Sequence, residues 1–320
     1  MKLKLAIVET HPIQYKAPLF RKLAADPRLD LKVFFAMVPD AAQQGAGFGV
    51  AFEWDAPLLA GYPHEVLANR AKRPSVTAFA GCDTPGIYGR LRALRPDAVL
   101  VNGWVAKTCL QALWACKRLG IPCLVRGEAN RLRPRAAWKH ALHRLLLRQY
   151  DAFLAIGSAN REFYRFHRVR EDRIFWSPYS VDNAYFSAQA AARAGRRSEL
   201  RAAFGIPAEA VVFLFAGKLE EKKRPGELLE AVARLPAELR AKVHVLVAGD
   251  GPLRGECEQM ACAKKLPVSF AGFLNQSRLP DAYAAADVLV LPSDAGETWG
   301  LVVNEAMASG RPAVVSRAAG

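Results

Sequence analysis

The sequence has no apolar run long enough to cross a membrane. A membrane-spanning helix needs about 20 consecutive apolar residues, and no stretch of the 320 residues approaches that length. The Met-Lys-Leu-Lys start leads into a strand-like run, which argues against a secretory signal peptide. We therefore expect a cytoplasmic protein, with peripheral attachment to the inner face of the membrane as an open alternative.

Motifs for metals, disulfides and dinucleotides are also missing. The six cysteines form no Cys-x-x-Cys pair and have no histidine at metal spacing, so a zinc site or a disulfide framework is not expected. The opening strand-helix-strand pattern carries no Gly-x-Gly-x-x-Gly fingerprint, which argues against a nicotinamide enzyme. We predict neither a metal site nor a cofactor.

Acidic residues are scarce in the first half of the chain. Residues 1–187 hold 28 lysines and arginines against 15 acids, whereas residues 188–320 hold 17 against 15. Of the formal charge of +15, the first half therefore carries +13. Such a balance suits an anionic surface or a nucleic acid, but no nucleic-acid recognition motif accompanies the charge, and we predict no nucleic-acid partner.

Short apolar runs alternate with helical patterns along the chain. Examples are a helix predicted over Ala17 to Ala25 and a strand predicted over Val243 to Ala248. This alternation predicts α/β architecture with parallel sheets, and a length of 320 residues suggests two domains. In such sheets ligands bind at the carboxyl ends of the strands.

One strand-loop-helix stretch stands out near the end of the sequence. An apolar strand, Val288 to Leu291, precedes a loop with Glu297, and a helix begins near Leu301. The Gly300-Leu301 amides would lie at the helix N-terminus, which favours oxygen-rich or anionic ligands. Glu297 and Glu305, eight positions apart, could accept hydrogen bonds from a polyol, although two solvated glutamates would give the same spacing.

A second loop places lysines after a strand. Lys218 and Lys223 follow the apolar run Val211 to Phe215 and precede a helix. Two ammonium groups at a helix N-terminus are suited to a diphosphate, and a charged surface turn is the alternative. Gly217, Gly249 and Phe273 occupy the ends of this and the next two predicted strands.

These motifs together resemble a known family. The Glu-x7-Glu spacing with Gly-Leu inside, followed by Glu-Ala-Met-Ala-x-Gly-x-Pro, resembles the signature of family 4 (group 1) retaining glycosyltransferases of the GT-B fold. The resemblance implies two Rossmann-like α/β domains facing across a cleft. It predicts an acceptor-side domain over 1–187, a linker over 188–209, and a nucleotide-sugar-binding domain over 210–320 whose C-terminal end is expected to be truncated.

The resemblance implies transfer of a glycosyl group from a nucleoside diphosphate sugar to an acceptor hydroxyl with retention. A sugar or lipid-linked acceptor in cell-envelope polysaccharide or glycolipid synthesis is expected, and the absence of an Asp-x-Asp triplet agrees with metal-independent hexosyl transfer. A sugar-nucleotide epimerase and a non-catalytic sugar-nucleotide-binding protein of the same fold remain alternatives.

The family pattern also implies a role for each candidate residue. Catalysis is assigned to Glu297, Lys218 and Lys223. Nucleotide-sugar binding is assigned to Glu305, Gly300, Leu301, Gly217, Gly249 and Phe273. Acceptor-side positions are His11, Gln14, Asn102, Trp104, Arg126 and Glu128. Relatives often carry a histidine near the positions of Asn102 and Trp104, so this chain departs from the pattern there.

The stretch from Arg131 to Arg148 holds six basic residues and no acid. On a helix beginning near Pro134, Trp138, Leu142 and Leu145 share one face. That face is expected either to pack on the domain or to form a basic amphipathic surface that meets anionic lipid headgroups.

Overall fold

The computed structural model describes residues 2–319. They form two compact units: the chain up to Asp40 together with Pro57–Tyr179, and Ala41–Ala56 together with the chain from Ser180 onward. The outer limits of the predicted domains, residues 1 and 320, lie outside the described residues.

Strands and helices alternate along the chain as predicted. The strands are β1 Leu3–Glu9, β2 Leu29–Phe35, β3 His64–Val66, β4 Ala98–Asn102, β5 Cys123–Gly127, β6 Ala152–Ala155, β7 Ile174–Trp176, β8 Val211–Ala216, β9 Val243–Ala248, β10 Val268–Gly272, β11 Val288–Leu291 and β12 Ala313–Val315. The helices are α1 Ala17–Ala25, α2 Ala41–Gly45, α3 Ile87–Leu94, α4 Lys107–Leu119, α5 Ala137–Leu147, α6 Ser158–Phe166, α7 Asn183–Arg193, α8 Arg197–Ala203, α9 Pro225–Ala233, α10 Ala237–Arg240, α11 Arg254–Ala263, α12 Leu279–Ala285 and α13 Leu301–Ala308.

The first unit is built on a parallel sheet of seven strands in the order β3-β2-β1-β4-β5-β6-β7. Both faces are covered, because Val8 contributes to one apolar cluster and its neighbour Ile7 to another. The strand order reverses between β1 and β4, and such a switch point opens a crevice at the carboxyl ends of the strands. Glu9 and Asn102, the last residues of β1 and β4, lie at that point.

The second unit repeats this plan with five parallel strands in the order β10-β9-β8-β11-β12. Leu214 packs in one apolar cluster and Phe215 in the cluster on the other face. The order reverses between β8 and β11, so the loops after these strands meet at one edge. They carry Lys218 and Glu297.

The division into units differs from the predicted domains at residues 180–209. Residues 188–203 of the predicted linker form helical structure that packs within the second unit, where α7 and α8 contact α12. Three arginines form ion pairs that hold it there: Arg193 with Asp281 at 2.6 Å, Arg201 with Asp287 at 2.7 Å, and Arg197 also with Asp287. These arginines therefore face acidic partners inside the second unit.

The long irregular stretch after β2 is divided between the two units. It contains α2 and β3, and its residues Ala41–Ala56 belong to the second unit although the sequence on both sides belongs to the first. Among residues 2–319, no helix combines the length and apolar character needed to span a bilayer.

Candidate functional site

The loop after β11 seats Glu297 against the N-terminus of α13. One carboxylate oxygen accepts a hydrogen bond from the Gly300 amide at 3.2 Å, and the other forms an ion pair with Lys223. Glu297 is 9% exposed. A buried carboxylate costs free energy unless it is paired, and here a lysine and a helix-end amide supply the pairing.

Gly300 is required by the backbone at this point. Its φ is +77°, a left-handed conformation that favours glycine, and a Cβ there would lie 2.7 Å from Leu291 Cδ2. Gly300 is the N-cap of α13, and Leu301 is the first residue of the helix. The predicted helix opening at Gly300-Leu301 is therefore present.

Glu305 lies in the second turn of α13 and is buried. It accepts a hydrogen bond from the Tyr283 hydroxyl at 2.7 Å. Burial raises the pKa of Glu305 to about 7, against the lowering effect of this hydrogen bond. Its carboxyl group therefore keeps its proton to a higher pH than an exposed glutamate does.

The predicted cations occupy the loop after β8, at the same edge of the sheet. Lys223 pairs with Glu297, whereas the Lys218 ammonium donates to the Ala46 carbonyl at 3.0 Å. Burial lowers the pKa of Lys218. Both lysines hold protein partners that an anionic ligand could replace.

Gly217 and Gly249 mark a close approach of two strand ends. Gly249 has a φ of +150°, and a Cβ there would lie 1.8 Å from the Gly217 carbonyl oxygen. The Gly217 amide donates to Ala248 at 2.9 Å. These glycines bring the two loops together; no contact in the structure assigns them a ligand.

Phe273 follows β10 and belongs to an aromatic cluster. Its ring stacks on Phe52 with centroids 4.0 Å apart and an interplanar angle of 30°. Phe48 meets the same ring edge-on at 4.9 Å.

The first unit has its own candidate site, a cavity of about 450 Å³ at the β1/β4 switch point. Four predicted acceptor-side residues line it: Asn102, Trp104, Arg126 and Glu128. The remaining lining residues are Lys16, Gly103, Val105, Gly127, Ala129, Arg135, His143 and Tyr179.

A buried ionic group forms one wall of the cavity. Lys16 pairs with Glu9 at 2.8 Å, and the Asn102 side-chain amide donates to the other Glu9 oxygen at 2.5 Å. Burial raises the pKa of Glu9, while Lys16 acts in the opposite direction. Asn102 Oδ1 is buried and has no hydrogen-bond partner among residues 2–319.

A second polar group forms around Arg126, at β5. The guanidinium donates to the Ser177 and Pro178 carbonyls and lies 4.4 Å from the centre of the Tyr179 ring. The Tyr179 hydroxyl donates to Glu128 at 2.7 Å. Within the described chain, the buried Arg126 Nε has no partner, so this wall presents an unused donor.

Trp104, His11 and Gln14 differ in their relation to the cavity. Trp104 lines it with an edge and stacks on Phe163, and a Cβ on Gly127 would lie 2.7 Å from the Trp104 ring. Of the residues described, His11 and Gln14 stand outside the lining. His11 contacts Thr10 at 2.9 Å, and burial lowers its pKa to about 4.

The polar groups of this site that sequence reasoning missed include Glu9, Lys16 and Tyr179. Glu9 could have been found, because a carboxylate that ends a parallel strand lies where ligands bind. Lys16 and Tyr179 carry no motif, and their roles depend on contacts across the fold.

The exposed side chains of helix α5 contradict one of the two expectations for Arg131–Arg148. The expected packing of its apolar face on the domain is wrong, because Trp138, Leu142 and Leu145 are 64%, 56% and 60% exposed. The inward face carries His143 and the buried Leu147. The helix therefore presents its apolar face to solvent.

Comparison with known proteins bears on the second unit most directly. Residues 196–320 match the family model of glycosyl transferases group 1. Over these residues the chain is similar to that family. They include every residue predicted for catalysis and nucleotide-sugar binding.

Alignments with individual relatives cover only part of the length of each relative. A D-inositol 3-phosphate glycosyltransferase of Saccharomonospora viridis is 41% identical over 140 residues, which cover 40% of this chain and 32% of the relative. A GDP-mannose-dependent α-(1-6)-phosphatidylinositol dimannoside mannosyltransferase of Mycobacterium tuberculosis is 29% identical over 236 residues, or 71% of this chain and 58% of that protein. The chain thus spans about a third to three fifths of the length of these relatives.

Comparison with solved structures shows a similar fold over both units. The structure of Anabaena HepE in complex with UDP and glucose matches with a TM-score of 0.70 at 18% identity, covering 99% of this chain and 82% of that one. The predicted α/β fold of GT-B glycosyltransferases, with two parallel sheets, is confirmed.

Proposed function

We propose that the chain is a retaining glycosyltransferase that uses a nucleoside diphosphate sugar and an acceptor hydroxyl. The arrangement of Glu297 carries the proposal: its carboxylate is paired with Lys223 and with the Gly300 amide at the start of α13. This combination offers an acceptor for sugar hydroxyls beside cationic groups suited to a diphosphate. The similarity of residues 196–320 to the family supports the same assignment.

In the proposed reaction, the bond between the anomeric carbon and the diphosphate oxygen breaks as the acceptor oxygen bonds to that carbon. The acceptor proton passes to the departing phosphate. Lys218, Lys223 and the amides at Gly300-Leu301 stabilise the charge that develops on the leaving group. Transfer without a metal is part of the proposal, because these cations take over charge neutralisation.

Glu305 is proposed to bind the ribose hydroxyls of the donor. The Tyr283 hydroxyl, 2.7 Å away, orients its carboxylate. A carboxylate accepts hydrogen bonds from two adjacent hydroxyls only when it is ionised. Donor affinity should therefore follow the ionisation of Glu305.

The cavity of the first unit is proposed as the acceptor site. Arg126 Nε offers a buried donor and Asn102 Oδ1 a buried acceptor, neither of them satisfied by the residues that the structure describes. A hydroxyl group donates and accepts, so hydroxyls of a polyol satisfy both atoms. A sugar or a glycolipid headgroup has this chemistry.

The test separates sugar transfer from nucleotide binding. In Glu297→Ala, transfer should fall at least about a hundredfold, because loss of one transition-state contact costs on the order of 3 kcal/mol. The dissociation constant for UDP or GDP should stay within about threefold of the wild-type value. Calorimetry gives binding, and release of the nucleoside diphosphate from a panel of nucleotide sugars gives transfer.

Three outcomes separate the alternatives. Equal loss of binding and transfer in Glu297→Ala contradicts the sugar-side assignment, and Glu209→Ala at an exposed position serves as control. Conversion of the donor sugar without an acceptor favours the epimerase. Nucleotide-sugar binding with no turnover in any acceptor screen favours a non-catalytic binding protein.

We also propose that α5 binds an anionic bilayer during glycolipid or envelope polysaccharide synthesis. Trp138, Leu142 and Leu145 are exposed on this helix, and the stretch Arg131–Arg148 carries six basic residues and no acid. Apolar side chains flanked by cations match the interface of a membrane with anionic headgroups.

Vesicle sedimentation tests this surface. Vesicles of phosphatidylglycerol and phosphatidylcholine should retain the wild-type protein, and replacement of Trp138, Leu142 and Leu145 by serine should weaken retention at least about tenfold. Trp114→Ser is the matched control, since Trp114 is 53% exposed on α4. Equal retention of the triple variant and the control overturns the assignment.

A further inference from the structure

Segment Ala41–Ala56 packs within the second unit, although the sequence before and after it belongs to the first. Its contacts fall on the loop after β8 and on the loop after β10. Those loops carry Lys218 and Phe273, which are predicted donor-site residues.

The first contact covers the aromatic face of Phe273. Phe52 lies against that ring with a centroid separation of 4.0 Å, and Phe48 and Trp54 complete the cluster. Ring planes in direct contact leave no space for another planar group between them. A nucleotide base cannot stack on this face of Phe273 while Phe52 is there.

The second contact uses the Lys218 ammonium. Its Nζ donates to the Ala46 carbonyl at 3.0 Å and lies 4.7 Å from the centre of the Phe48 ring. The carbonyl oxygen holds the hydrogen bond that a phosphate oxygen would take. One segment thus supplies both an aromatic ring and an anion-like oxygen, the two kinds of contact that a nucleoside diphosphate makes.

The third contact anchors the end of the segment. Asp55 accepts the Ser277 amide at 3.2 Å and also accepts the Ser277 hydroxyl. The Asn275 side-chain amide donates to the Glu53 carbonyl at 2.6 Å. These bonds are exposed, so they are individually weak and water can replace them.

The segment has a defined conformation of its own. A Cβ on Gly45 would lie 1.9 Å from the Val50 carbonyl oxygen, so only glycine permits this close approach. The Phe48 amide donates to Gly45 at 2.8 Å, and the Phe52 amide donates to Ala41 at 3.1 Å. This turn sets both phenylalanines on the side that meets Phe273.

We propose that Ala41–Ala56, the strap, is an internal competitor of the nucleotide, with Phe52 in the place of the base and the Ala46 carbonyl in the place of a phosphate oxygen. The inference rests on the proposed donor site. Binding of a nucleoside diphosphate then requires the strap to release Phe273 and Lys218. The apparent dissociation constant is the intrinsic one divided by the fraction of molecules in which the strap is released.

Weakening the strap should therefore tighten nucleotide binding. In Phe52→Ala and in Asp55→Asn, the dissociation constants of UDP or GDP should fall about two- to tenfold, the range that corresponds to one aromatic pair. Phe79→Ala and Asp30→Asn are the matched controls, because both residues are exposed in the first unit. Thermal unfolding of each full-length variant checks that the fold is kept.

Fixing the strap should have the opposite effect. Asp55→Cys with Ser277→Cys places two thiols where the carboxylate and the hydroxyl now meet, in a Cys262→Ser background that removes the exposed native thiol. The oxidised protein should bind UDP or GDP at least about tenfold more weakly than the same protein after reduction.

The outcomes separate the strap from the donor site. Tighter binding on release and weaker binding on oxidation support the strap. Unchanged or weaker binding in Phe52→Ala, or equal affinity of the oxidised and reduced proteins, overturns it while the proposed function stands. No nucleotide binding in any variant overturns the proposed function and the strap with it.

Discussion

Each unit pairs one lysine with one glutamate near the carboxyl end of a strand, and the two pairs are held differently. Glu9 is 1% exposed, and Lys16 and Asn102 occupy its two oxygens. Glu297 is 9% exposed, and its two oxygens are held by Lys223 and by the Gly300 amide. The first pair is buried at the wall of the cavity, whereas the second lies in a loop whose partners a ligand can exchange.

This difference predicts a role in stability for the first pair and a role in ligand binding for the second. A fully buried pair contributes little net stability, but removal of one partner leaves a charge that has lost its compensation. A pair at a loop and a helix N-terminus can reorganise when an anion arrives. We therefore expect Lys16 to matter for stability and Lys223 for binding.

The largest predicted effect follows from breaking each pair. Lys16→Met should lower the free energy of unfolding by about 3–5 kcal/mol, because it leaves Glu9 buried and unpaired. The cost of Lys223→Met should be smaller, since its loop can relax and the Gly300 amide still donates to Glu297. Urea unfolding at pH 7 measures both values.

A double variant is the control for this comparison. Glu9→Leu combined with Lys16→Met removes both charges, so most of the stability lost in Lys16→Met should return. Equal destabilisation by Lys16→Met and Lys223→Met would show that the pairs do not differ as described.

The second prediction uses the pH dependence of Glu305. Its pKa is about 7 in the folded protein against an ordinary 4.5, so between these values the folded state holds a proton that the unfolded state has released. Stability therefore falls as pH rises through this window, by about 3 kcal/mol at most. Glu305→Gln should remove that loss and gain stability over the wild type between pH 5 and pH 8.

Urea unfolding at pH 5, 6, 7 and 8 tests this prediction, with the exposed Glu209→Gln as control. A constant difference between Glu305→Gln and the wild type across that range would contradict the raised pKa. Nucleotide affinity supplies a second readout: in the wild type it should weaken as pH falls below 7, and in Glu305→Gln it should be weak throughout.

The same two regions show what could be predicted from the sequence. Glu297, Gly300 and Glu305 of the second unit follow one another over short spacings, and strand-end and helix-start chemistry predicts that Glu297 and Gly300 lie together. In the first unit, Glu9 and Asn102 are 93 positions apart, and Tyr179 and Glu128 are 51 apart. Contacts of that span depend on strand order, which residue patterns do not specify.

The exposed face of α5 and the position of the strap could be established only from the fold. Periodicity predicts that Trp138 and Leu142 share a face of α5, but it does not tell which face the sheet covers. Asp55 meets Ser277 across 222 positions, so no local pattern could place the strap in the second unit. Individual elements were more accessible: the helix Ala17–Ala25 and the strand Val243–Ala248 are confirmed at the predicted limits.

The smallest predicted effect compares the tyrosine–glutamate pairs of the two units. Tyr179 donates to the exposed Glu128, and Tyr283 donates to the buried Glu305, both at 2.7 Å. A hydrogen bond to a charged group contributes about 1.5–3 kcal/mol, and solvent reduces this contribution where the acceptor is exposed, as Glu128 is. At pH 8, Tyr283→Phe should therefore cost about 2 kcal/mol and Tyr179→Phe at most about 1 kcal/mol.

The pH dependence of the two variants makes this comparison decisive. Loss of the Tyr283 hydroxyl should raise the pKa of Glu305 further, because the hydrogen bond favours the ionised carboxylate. The cost of Tyr283→Phe should then shrink as pH falls from 8 to 5, since a protonated Glu305 loses less with its donor. A cost that stays constant over this range would mean that the Tyr283 hydroxyl does not distinguish ionised from protonated Glu305, and its proposed role in orienting the carboxylate for the ribose would be contradicted.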